Sequence, residues 1–402
     1  MDNRKNRLHE FSNANSPIDM EFNIKNRVLH HYDTAKQIMG VIYSSRKYKN
    51  IDLPLPKMAF IYPTYRCSLQ CKNCMYREHV MESTKTGNLD MNLDLFKHIM
   101  EDLSNIGVSH VELCGGGEPL EHKEINELIN VVGFFRKVKK MDFGLLTNGQ
   151  NISRLEPNII KSALESFAYI RLSFSERAFQ DQKIREEYLS NLTMLLEYKK
   201  ENKNFKARIG SKLLLTHENK YSLMKITEEL INMGVEHLKI KSIRSPEDEP
   251  THEDVMELKE QLNVYKYSEP VKEALKIDLR KTEFPNEFKC WINPLSITID
   301  PYGKIYICYN FHNDPDNMLI GNYNKNNSLS DFWGKGQHLK NIRKINVERV
   351  CKADNACNCR FVEYQKIIEQ RIVEEKHLNP SYGSVDNENN FPKKLKRLDN
   401  FL

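Results

Sequence analysis

Three cysteines fall within eight residues of one another, in the run Cys67-Ser-Leu-Gln-Cys71-Lys-Asn-Cys74. Thiolates bind soft metals, and three on one loop are too close together for all of them to pack as core side chains. A cubane iron–sulfur cluster would take these thiolates on three of its irons and leave the fourth iron open. A zinc ion would need a fourth ligand, and only His79 offers itself nearby, without the spacing typical of zinc sites. The run therefore indicates a metal centre.

The other cysteines are also unevenly placed. Cys114 stands alone, and no further cysteine occurs before residue 290. Among reduced thiols, metal binding or redox chemistry is more common than disulfide formation. Four thiolates can hold either an iron–sulfur cluster or a zinc ion as a structural staple. The late cysteines therefore form a second candidate metal centre, made of Cys290, Cys308, Cys351, Cys357 and Cys359.

The composition is that of a globular protein. Of the 402 residues, 40% are apolar and 29% are charged, which is enough for a sizeable core. The net charge of +5 is weak, and the basic cluster at residues 393–397 is interpreted as a solvated chain end rather than a nucleic-acid surface. No stretch is apolar enough to span a membrane, and the first residues lack the apolar core of a signal peptide. The sequence therefore predicts a cytoplasmic protein with no membrane or nucleic-acid partner.

Short apolar runs rich in β-branched and aromatic residues alternate with amphipathic helical patterns between residues 58 and 241. This alternation predicts an α/β fold with a parallel sheet, right-handed crossovers and about six βα units, which suggests an open or partial barrel. In barrels of this kind the functional residues gather at the C-terminal ends of the strands. The predicted strands are 58–65, 109–114, 142–147, 169–174, 207–215 and 235–240, and the predicted helices are 92–103, 123–138, 157–167, 187–200 and 221–233. In the first of these helices, Asn92 is the predicted N-cap, and the predicted apolar face consists of Leu95, Ile99, Met100 and Leu103.

The chain changes character after this alternation. Residues 253–279 predict a largely helical segment, and Asp300-Pro-Tyr-Gly303 predicts a turn between short strands at 295–299 and 304–308. Residues 313–328 predict a loop, and helices are predicted near 329–342 and 361–375. The predicted domains are a polar extension with one helix at 1–57, the partial barrel at 58–245, a helical connection at 246–289, a hairpin-and-helix domain at 290–377 and a flexible tail at 378–402.

The first cysteine run, placed after the first predicted strand, resembles the C-x3-C-x2-C signature of the radical S-adenosylmethionine (SAM) superfamily. The segment Gly115-Gly116-Gly117-Glu118-Pro119, after the second strand, looks like the glycine-rich GGEP segment of that family, which contacts the SAM amino group. Glycines let the backbone approach a ligand closely, and a carboxylate can accept bonds from an ammonium group. The resemblance implies that Cys67, Cys71 and Cys74 hold a [4Fe–4S] cluster and that the glycine-rich segment binds SAM.

Further polar residues at strand ends are similar to the family's contacts to SAM. Asn148 lies in a Thr-Asn-Gly run after the third strand, and Ser173, Ser175 and Arg185 follow from the fourth. Each of these residues also has an ordinary explanation as a cap or a surface residue, because Ser and Asn favour loops.

One position departs from the family pattern. The residue before the third cysteine is usually aromatic and contacts adenine, and here it is Asn73. We therefore expect that contact to come from elsewhere, with Tyr76 as the candidate.

The late cysteines resemble those of SPASM and twitch domains, which hold auxiliary [4Fe–4S] clusters. Cys290 lies thirteen residues before Gly303 and Cys308 five residues after it, as in the C-x(9–15)-G-x4-C opening of such domains. The segments at 319–323 and 328–333 are also similar to that region. The resemblance implies one auxiliary cluster of the shorter twitch form, held by Cys290, Cys308 and two cysteines of the closing group. That group, Cys351-x5-Cys357-x-Cys359, departs from the usual spacing, so the spare cysteine is not assigned.

The resemblance implies an enzyme in which the reduced cluster, supplied by a flavodoxin or ferredoxin, splits SAM and a 5′-deoxyadenosyl radical removes hydrogen from a C–H bond. The outcome is an oxidation or a new bond if the auxiliary cluster accepts an electron, and epimerisation if a cysteine returns a hydrogen atom. Cys114 is a candidate for that donor, although a free cysteine is more often simply a small buried residue. A spare cysteine of the closing group is an equally good candidate.

We expect a small polar metabolite, similar to a sugar or aminocyclitol, as the substrate. The 57 residues before the first strand do not suggest the winged-helix module that often binds a leader peptide. Modification of a ribosomally made peptide, by crosslinking or epimerisation, is the alternative. A zinc-stabilised binding protein without catalytic activity is the alternative of another class.

Overall fold

The computed structural model describes residues 55–56, 58–202, 204–243, 248, 250–264, 275–278, 290, 293, 296–311 and 315–344. The predicted N-terminal helix, the predicted helix at 361–375, the C-terminal tail and the cysteines Cys351, Cys357 and Cys359 lie outside these residues. No helix in the described part of the chain has the length and apolar character needed to cross a membrane.

One sheet of ten strands organises the described residues, in the order β10-β9-β8-β1-β2-β3-β4-β5-β6-β7. All neighbours from β8 through β1 to β7 are parallel, and the pairs β8–β9 and β9–β10 are antiparallel. The hairpin that follows residue 290 is therefore continuous with the barrel sheet, because β8 pairs with β1. The strands are β1 Met58–Ile61, β2 His110–Leu113, β3 Asp142–Thr147, β4 Tyr169–Phe174, β5 Arg208–Leu215, β6 His237–Ser242, β7 Leu275–Asp278, β8 Ser296–Ile299, β9 Lys304–Tyr306 and β10 Leu319–Asn322.

Helices fill the connections between the parallel strands, as a sheet with crossovers requires. Asn92 caps its helix by accepting hydrogen bonds from the backbone of Asp94 and Leu95, as the sequence predicts. The helices are α1 Arg77–Thr86, α2 Leu93–Asn105, α3 Ile125–Lys139, α4 Pro157–Ser166, α5 Glu176–Gln180, α6 Gln182–Glu201, α7 Lys220–Met233, α8 His252–Val264, α9 Pro315–Met318 and α10 Gly336–Lys344. Short 3₁₀ turns occur at Pro119–Glu121, Ile152–Arg154 and Leu329–Asp331.

Three predicted elements are wrong in part. The helical prediction for 253–279 fails at its end, where β7 pairs in parallel with β6. The loop predicted at 313–328 contains α9 and β10, and the helix predicted at 329–342 is a 3₁₀ turn followed by α10. In each case the local pattern is weak, and pairing with a distant strand or packing against the sheet decides the structure.

The two faces of the sheet differ in character. On β5, Ser211 bonds to Tyr188 of α6, so this residue and its alternate neighbours face the helices. On the opposite, inner face, the ring of His237 on β6 fills the space that a side chain at Gly210 would occupy. The inner face is therefore lined by the other alternation of each strand, which includes polar and charged side chains.

Candidate active site

The C-terminal ends of β1 and β2 are joined by backbone hydrogen bonds that continue beyond the strands. The amide of Gly117 donates to the carbonyl of Thr64 over 2.8 Å, and the amide of Glu118 donates to that of Arg66 over 2.6 Å. A Cβ atom on Gly117 would overlap the Arg66 carbonyl. The glycine-rich segment thus lies directly against the chain that leads into Cys67.

The three clustered cysteines lie on the loop between β1 and α1, and each is half-buried. The amide of Cys74 donates to the carbonyl of Cys71 over 3.3 Å, which forms a tight turn before α1. Burial raises the pKa of all three thiols, that of Cys67 to about 12, and the charge of Cys74 raises the pKa of both other thiols. The thiol of Cys74 is therefore near enough to both other thiols to affect their ionisation.

The arrangement does not match a site for a single ion. Among the described residues, no three His, Cys, Asp or Glu side chains come together as one metal ion would require. His79, the candidate fourth zinc ligand, stacks its ring on Tyr65 with the ring centroids 5.8 Å apart. Three thiols on one loop without a fourth protein ligand among the described residues agree with the corners of a cubane cluster, whereas a structural zinc ion takes four ligands.

Glu118 connects the ends of β2 and β3. Its side chain is 3% exposed and accepts hydrogen bonds from the amide of Leu120, the hydroxyl of Thr147 and the amide of Asn148. Burial raises the pKa of this carboxyl to about 7, although the hydrogen bonds from Asn148, Thr147 and Leu120 oppose the shift. Pro119 follows as the first residue of the 3₁₀ turn. The carboxylate predicted to receive the SAM ammonium group is thus held in place by both neighbouring loops.

Asn148 supplies a donor that the described residues leave unsatisfied. Its Oδ1 accepts a hydrogen bond from the amide of Gln150 over 2.9 Å. Its Nδ2 is buried and has no hydrogen-bond partner among the described residues. Buried polar atoms are almost always bonded, so an orphaned donor beside Glu118 fits a site that a polar ligand completes.

Three further residues are predicted to contact SAM, and they differ in their position relative to the sheet. Ser173 is half-buried on the inner face of β4, where a ligand at the strand ends would be in reach. Ser175 caps α5 by accepting from the amide of Ala178 over 3.2 Å. Arg185 pairs with Glu229 of α7 over 2.8 Å, on the helical side of the sheet. Ser173 is therefore the best placed of the three, and a contact from Arg185 would first require its ion pair to open.

Tyr76 is buried within a group of aromatic residues. Its hydroxyl lies 2.7 Å from that of Tyr62 and donates to the carbonyl of Tyr309 over 3.3 Å. The Tyr62 hydroxyl donates to the same carbonyl over 3.2 Å. Since Tyr76 follows Cys74 by two residues and Tyr309 follows Cys308 directly, these hydroxyls join the first cysteine loop to the hairpin.

Asn73, at the position that departs from the family pattern, holds the cysteine loop to two other loops. Its Nδ2 donates to Oε2 of Glu176 over 3.1 Å and to Oδ2 of Asp248 over 2.7 Å. Lys72 adds an exposed ion pair with Asp248 at 3.3 Å. Sequence reasoning missed Glu176 and Asp248, because nothing in their local pattern marks them.

The other cysteines occupy separate positions. Cys114 is 5% exposed at the end of β2, beside the buried Tyr62. Burial is the main cause of the raised pKa of Tyr62, and the charge of Cys114 contributes to it. Cys290 and Cys308 are half-buried and pack against the core of the sheet. Their three predicted partners lie outside the described residues, so the ligand set of the auxiliary cluster stays a prediction.

Comparisons with known proteins match two domains of this chain. The sequence model of a 4Fe–4S single cluster domain matches residues 59–191, and that of SPASM, an iron–sulfur cluster-binding domain, matches residues 290–360. A curated relative, molybdenum cofactor biosynthesis protein 1 of Dictyostelium discoideum, is 35% identical over 91 residues. That match covers 23% of this chain and only 14% of the relative.

Solved structures share the fold. SuiB of Streptococcus suis bound to S-adenosylmethionine matches with a TM-score of 0.54 and 16% identity, over 74% of this chain and 70% of that one. The enzyme anSMEcpe with bound AdoMet matches with a TM-score of 0.51 and 14% identity, over 80% of this chain and 98% of that one. The predicted fold, a partial α/β barrel with a C-terminal cluster-binding domain, is confirmed.

The fold and the two matched domains define an iron–sulfur protein with two cluster-binding regions, one at each cysteine group. The two cluster-binding domain models and the fold shared with solved structures that have SAM bound agree with the predicted resemblance to the radical SAM superfamily and its SPASM or twitch group. The two matched domain models confirm the prediction of iron–sulfur clusters, and the prediction of SAM agrees with the fold shared with SAM-bound structures. The domain boundaries and the residue roles stay predictions.

Proposed function

We propose that this protein is a radical SAM enzyme that removes a hydrogen atom from a C–H bond of a small polar metabolite. The observation that carries the proposal is the position of Glu118, which receives hydrogen bonds from the β3 loop while its backbone bonds to the cysteine loop. Three strand ends that the sequence marks for cluster and SAM binding are thereby joined in one place.

When bound, the reduced cluster and SAM supply a 5′-deoxyadenosyl radical that abstracts hydrogen from the substrate. Cys67, Cys71 and Cys74 would hold three irons of the cluster and leave the fourth for SAM. Glu118 would accept hydrogen bonds from the SAM ammonium group, and Asn148 Nδ2 would donate to an acceptor of the same ligand.

The auxiliary cluster domain would determine the outcome. Cys290 and Cys308 would hold part of a second cluster, and that cluster would supply an electron acceptor for an oxidation. Epimerisation instead requires a hydrogen donor near the substrate, and Cys114, which is buried at the end of β2, is the candidate for that role. A flavodoxin or ferredoxin is the proposed electron donor, and a cytoplasmic location fits its supply.

Anaerobic reconstitution with iron, sulfide, SAM and a chemical reductant tests the first step. We expect formation of 5′-deoxyadenosine by the wild-type protein and none by Cys71→Ala. Cys114→Ala is the matched control, and it should keep both the cluster absorbance and 5′-deoxyadenosine formation. A colourless, zinc-loaded protein without iron after anaerobic purification would contradict the proposal.

The substrate class needs a separate experiment. A pool of small polar metabolites added to the reconstituted enzyme should raise the rate of 5′-deoxyadenosine formation, with deuterium transfer from a labelled substrate into 5′-deoxyadenosine. If a precursor peptide instead binds tightly and changes mass, the radical SAM chemistry stands and the metabolite assignment is wrong.

A further inference from the structure

On the inner face of the barrel, two pairs of polar side chains are in contact, and in each pair a glycine of the intervening strand lies between the two residues. Gly144 lies between Glu112 and Tyr169 in the strand register, and the Tyr169 hydroxyl donates to Oε2 of Glu112 over 2.6 Å. One row further along, Gly210 lies between Arg171 and His237. A side chain at either glycine would collide with the ring of Tyr169 or of His237. The glycines thus give the long polar side chains their room inside the barrel.

Arg171 is a buried cation without a carboxylate partner in the described part of the chain. The residue is 8% exposed. Its Nε donates to Nε2 of His237 over 3.2 Å, and its guanidinium carbon lies 5.2 Å from the centre of the Tyr169 ring. Neither contact neutralises its charge, and buried charges are usually paired because their desolvation is costly. The two terminal nitrogens remain able to bind an anion in a bidentate manner.

His237 adds a second donor. It is 3% exposed, and burial followed by the charges of Arg171, Arg208, Lys239 and Lys199 lowers its pKa well below the usual value. The ring is therefore neutral, and because Nε2 accepts from Arg171, the proton lies on Nδ1. Nδ1 is buried and has no hydrogen-bond partner among the described residues. A buried N–H donor next to a buried guanidinium indicates a missing acceptor.

The pair lies on the same inner face of the sheet as residues of the candidate active site. Leu146 of β3 is in register with Arg171, and Cys114 follows the residue that pairs with Leu145, so Cys114 is level with them. Ser173 lies two residues further along β4 on the same face, nearer the strand ends. A molecule held by Arg171 would therefore extend from the barrel interior towards Glu118 and the cysteine loop.

We infer that Arg171 and His237 form a binding site for an anionic group of the substrate, a carboxylate or a phosphate. This inference rests on the proposed function, because it takes the bound anion to be part of the substrate. It restricts the proposed metabolite to one that carries a carboxylate or a phosphate. The guanidinium would bind two oxygens of the anion, and the Nδ1–H of His237 would donate to an oxygen as well.

Binding of inorganic phosphate and of acetate to the cluster-loaded protein, measured by isothermal titration with and without SAM, tests the site. We expect the wild-type protein to bind at least one of the two anions, and Arg171→Gln to bind it at least tenfold more weakly. Arg136→Gln is the matched control, because Arg136 pairs with Asp142 at the opposite, exposed end of β3 and should not change the affinity. The preferred anion distinguishes a phosphate from a carboxylate substrate.

Three results would overturn the inference. The first is that the wild-type protein binds neither anion, and the second is that Arg171→Gln binds the anion as tightly as the wild type does. The third is that SAM displaces the anion, which would assign Arg171 to the SAM carboxylate. Arg171→Lys and His237→Asn keep the test decisive if Arg171→Gln does not fold, and both should also weaken binding. Failure of 5′-deoxyadenosine formation would leave these affinities unchanged, so the two proposals fail separately.

Discussion

The side-chain amide of Asn73 donates a hydrogen bond to Asp248 over 2.7 Å, across 175 residues of sequence. The same amide group donates to Glu176. Burial, the charge of Cys74 and then the charge of Glu176 raise the pKa of the Cys71 thiol. The segment between the second and third cysteines is thus fixed to the loops that follow β4 and β6. A cluster bound at Cys71 and Cys74 would depend on this connection for its position.

Replacing Asn73 by Ala should speed the loss of iron from the cluster. Two hydrogen bonds to carboxylates are removed, each worth about 1–3 kcal/mol, and the cysteine loop gains freedom. We expect iron release to a chelator to become at least threefold faster, followed by absorbance of the iron complex. Lys72→Ala, which removes only an exposed ion pair to the same Asp248, should release iron at the wild-type rate. Equal rates for the Asn73 variant and wild type would refute a positioning role.

Gly117→Ala should damage the first cluster without unfolding the barrel. Its new methyl group would overlap the Arg66 carbonyl, and a backbone atom cannot move aside as a flexible side chain can. Overpacking of this kind costs about 1–3 kcal/mol and would displace the chain before Cys67. The measurement is iron content after reconstitution, which we expect to fall by about half or more. Gly133→Ala meets only the Ser166 hydroxyl and should keep full iron content.

Local sequence patterns were sufficient for the barrel strands. The strands β3 and β4 have the predicted bounds, and Asn92 caps α2 as expected, since apolar alternation and capping chemistry act within a few residues. The buried face of α2 was predicted in part, because Phe96 is buried and Leu95 is only partly so. Strand β7 was missed, since its pairing with β6 depends on tertiary contact.

The candidate site likewise contains features that the sequence predicts and features that it does not. The cysteine run and the glycine-rich segment are contiguous motifs, so their types and spacing could be recognised from sequence. The bonds that Asn73 makes to Glu176 and Asp248 join residues more than a hundred positions apart. The pairing of Arg171 with His237 depends on Gly210 between them in the sheet. Such relationships exist only once the strands are in register, and no local pattern predicts them.

The hydroxyls of Tyr62 and Tyr76 should couple the two cysteine regions. Both hydroxyls donate to the Tyr309 carbonyl, and their oxygen atoms lie 2.7 Å apart. Removing one hydroxyl therefore weakens the hydrogen bonding of the other. Tyr62→Phe and Tyr76→Phe should each lower the free energy of unfolding by about 1 kcal/mol. The double variant should cost less than the sum, which a double-mutant cycle by chemical denaturation measures. Additive costs would show that the hydroxyls act independently.

Glu118 should make the cluster-free, SAM-free protein less stable as the pH rises from about 4.5 to about 7. Its pKa in the folded protein is raised from 4.5 to about 7, so the unfolded chain loses its proton first. In that window the folded state binds more protons, and the free energy of unfolding falls with pH by about 3 kcal/mol in all. Above pH 7 this contribution is constant.

Glu118→Gln carries no titrating group at this position, so the difference between its stability and that of the wild type isolates the effect. Asp300, whose pKa burial raises from 3.8 to about 6, contributes a similar loss to both proteins and cancels in that difference. Glu197→Gln, on an exposed turn of α6, is the control and should follow the wild-type curve. Chemical denaturation between pH 4 and pH 8 gives the measurement. If the wild-type and Glu118→Gln curves stay parallel across this range, the carboxyl does not hold a buried charge, and its expected role in receiving the SAM ammonium group loses its electrostatic basis.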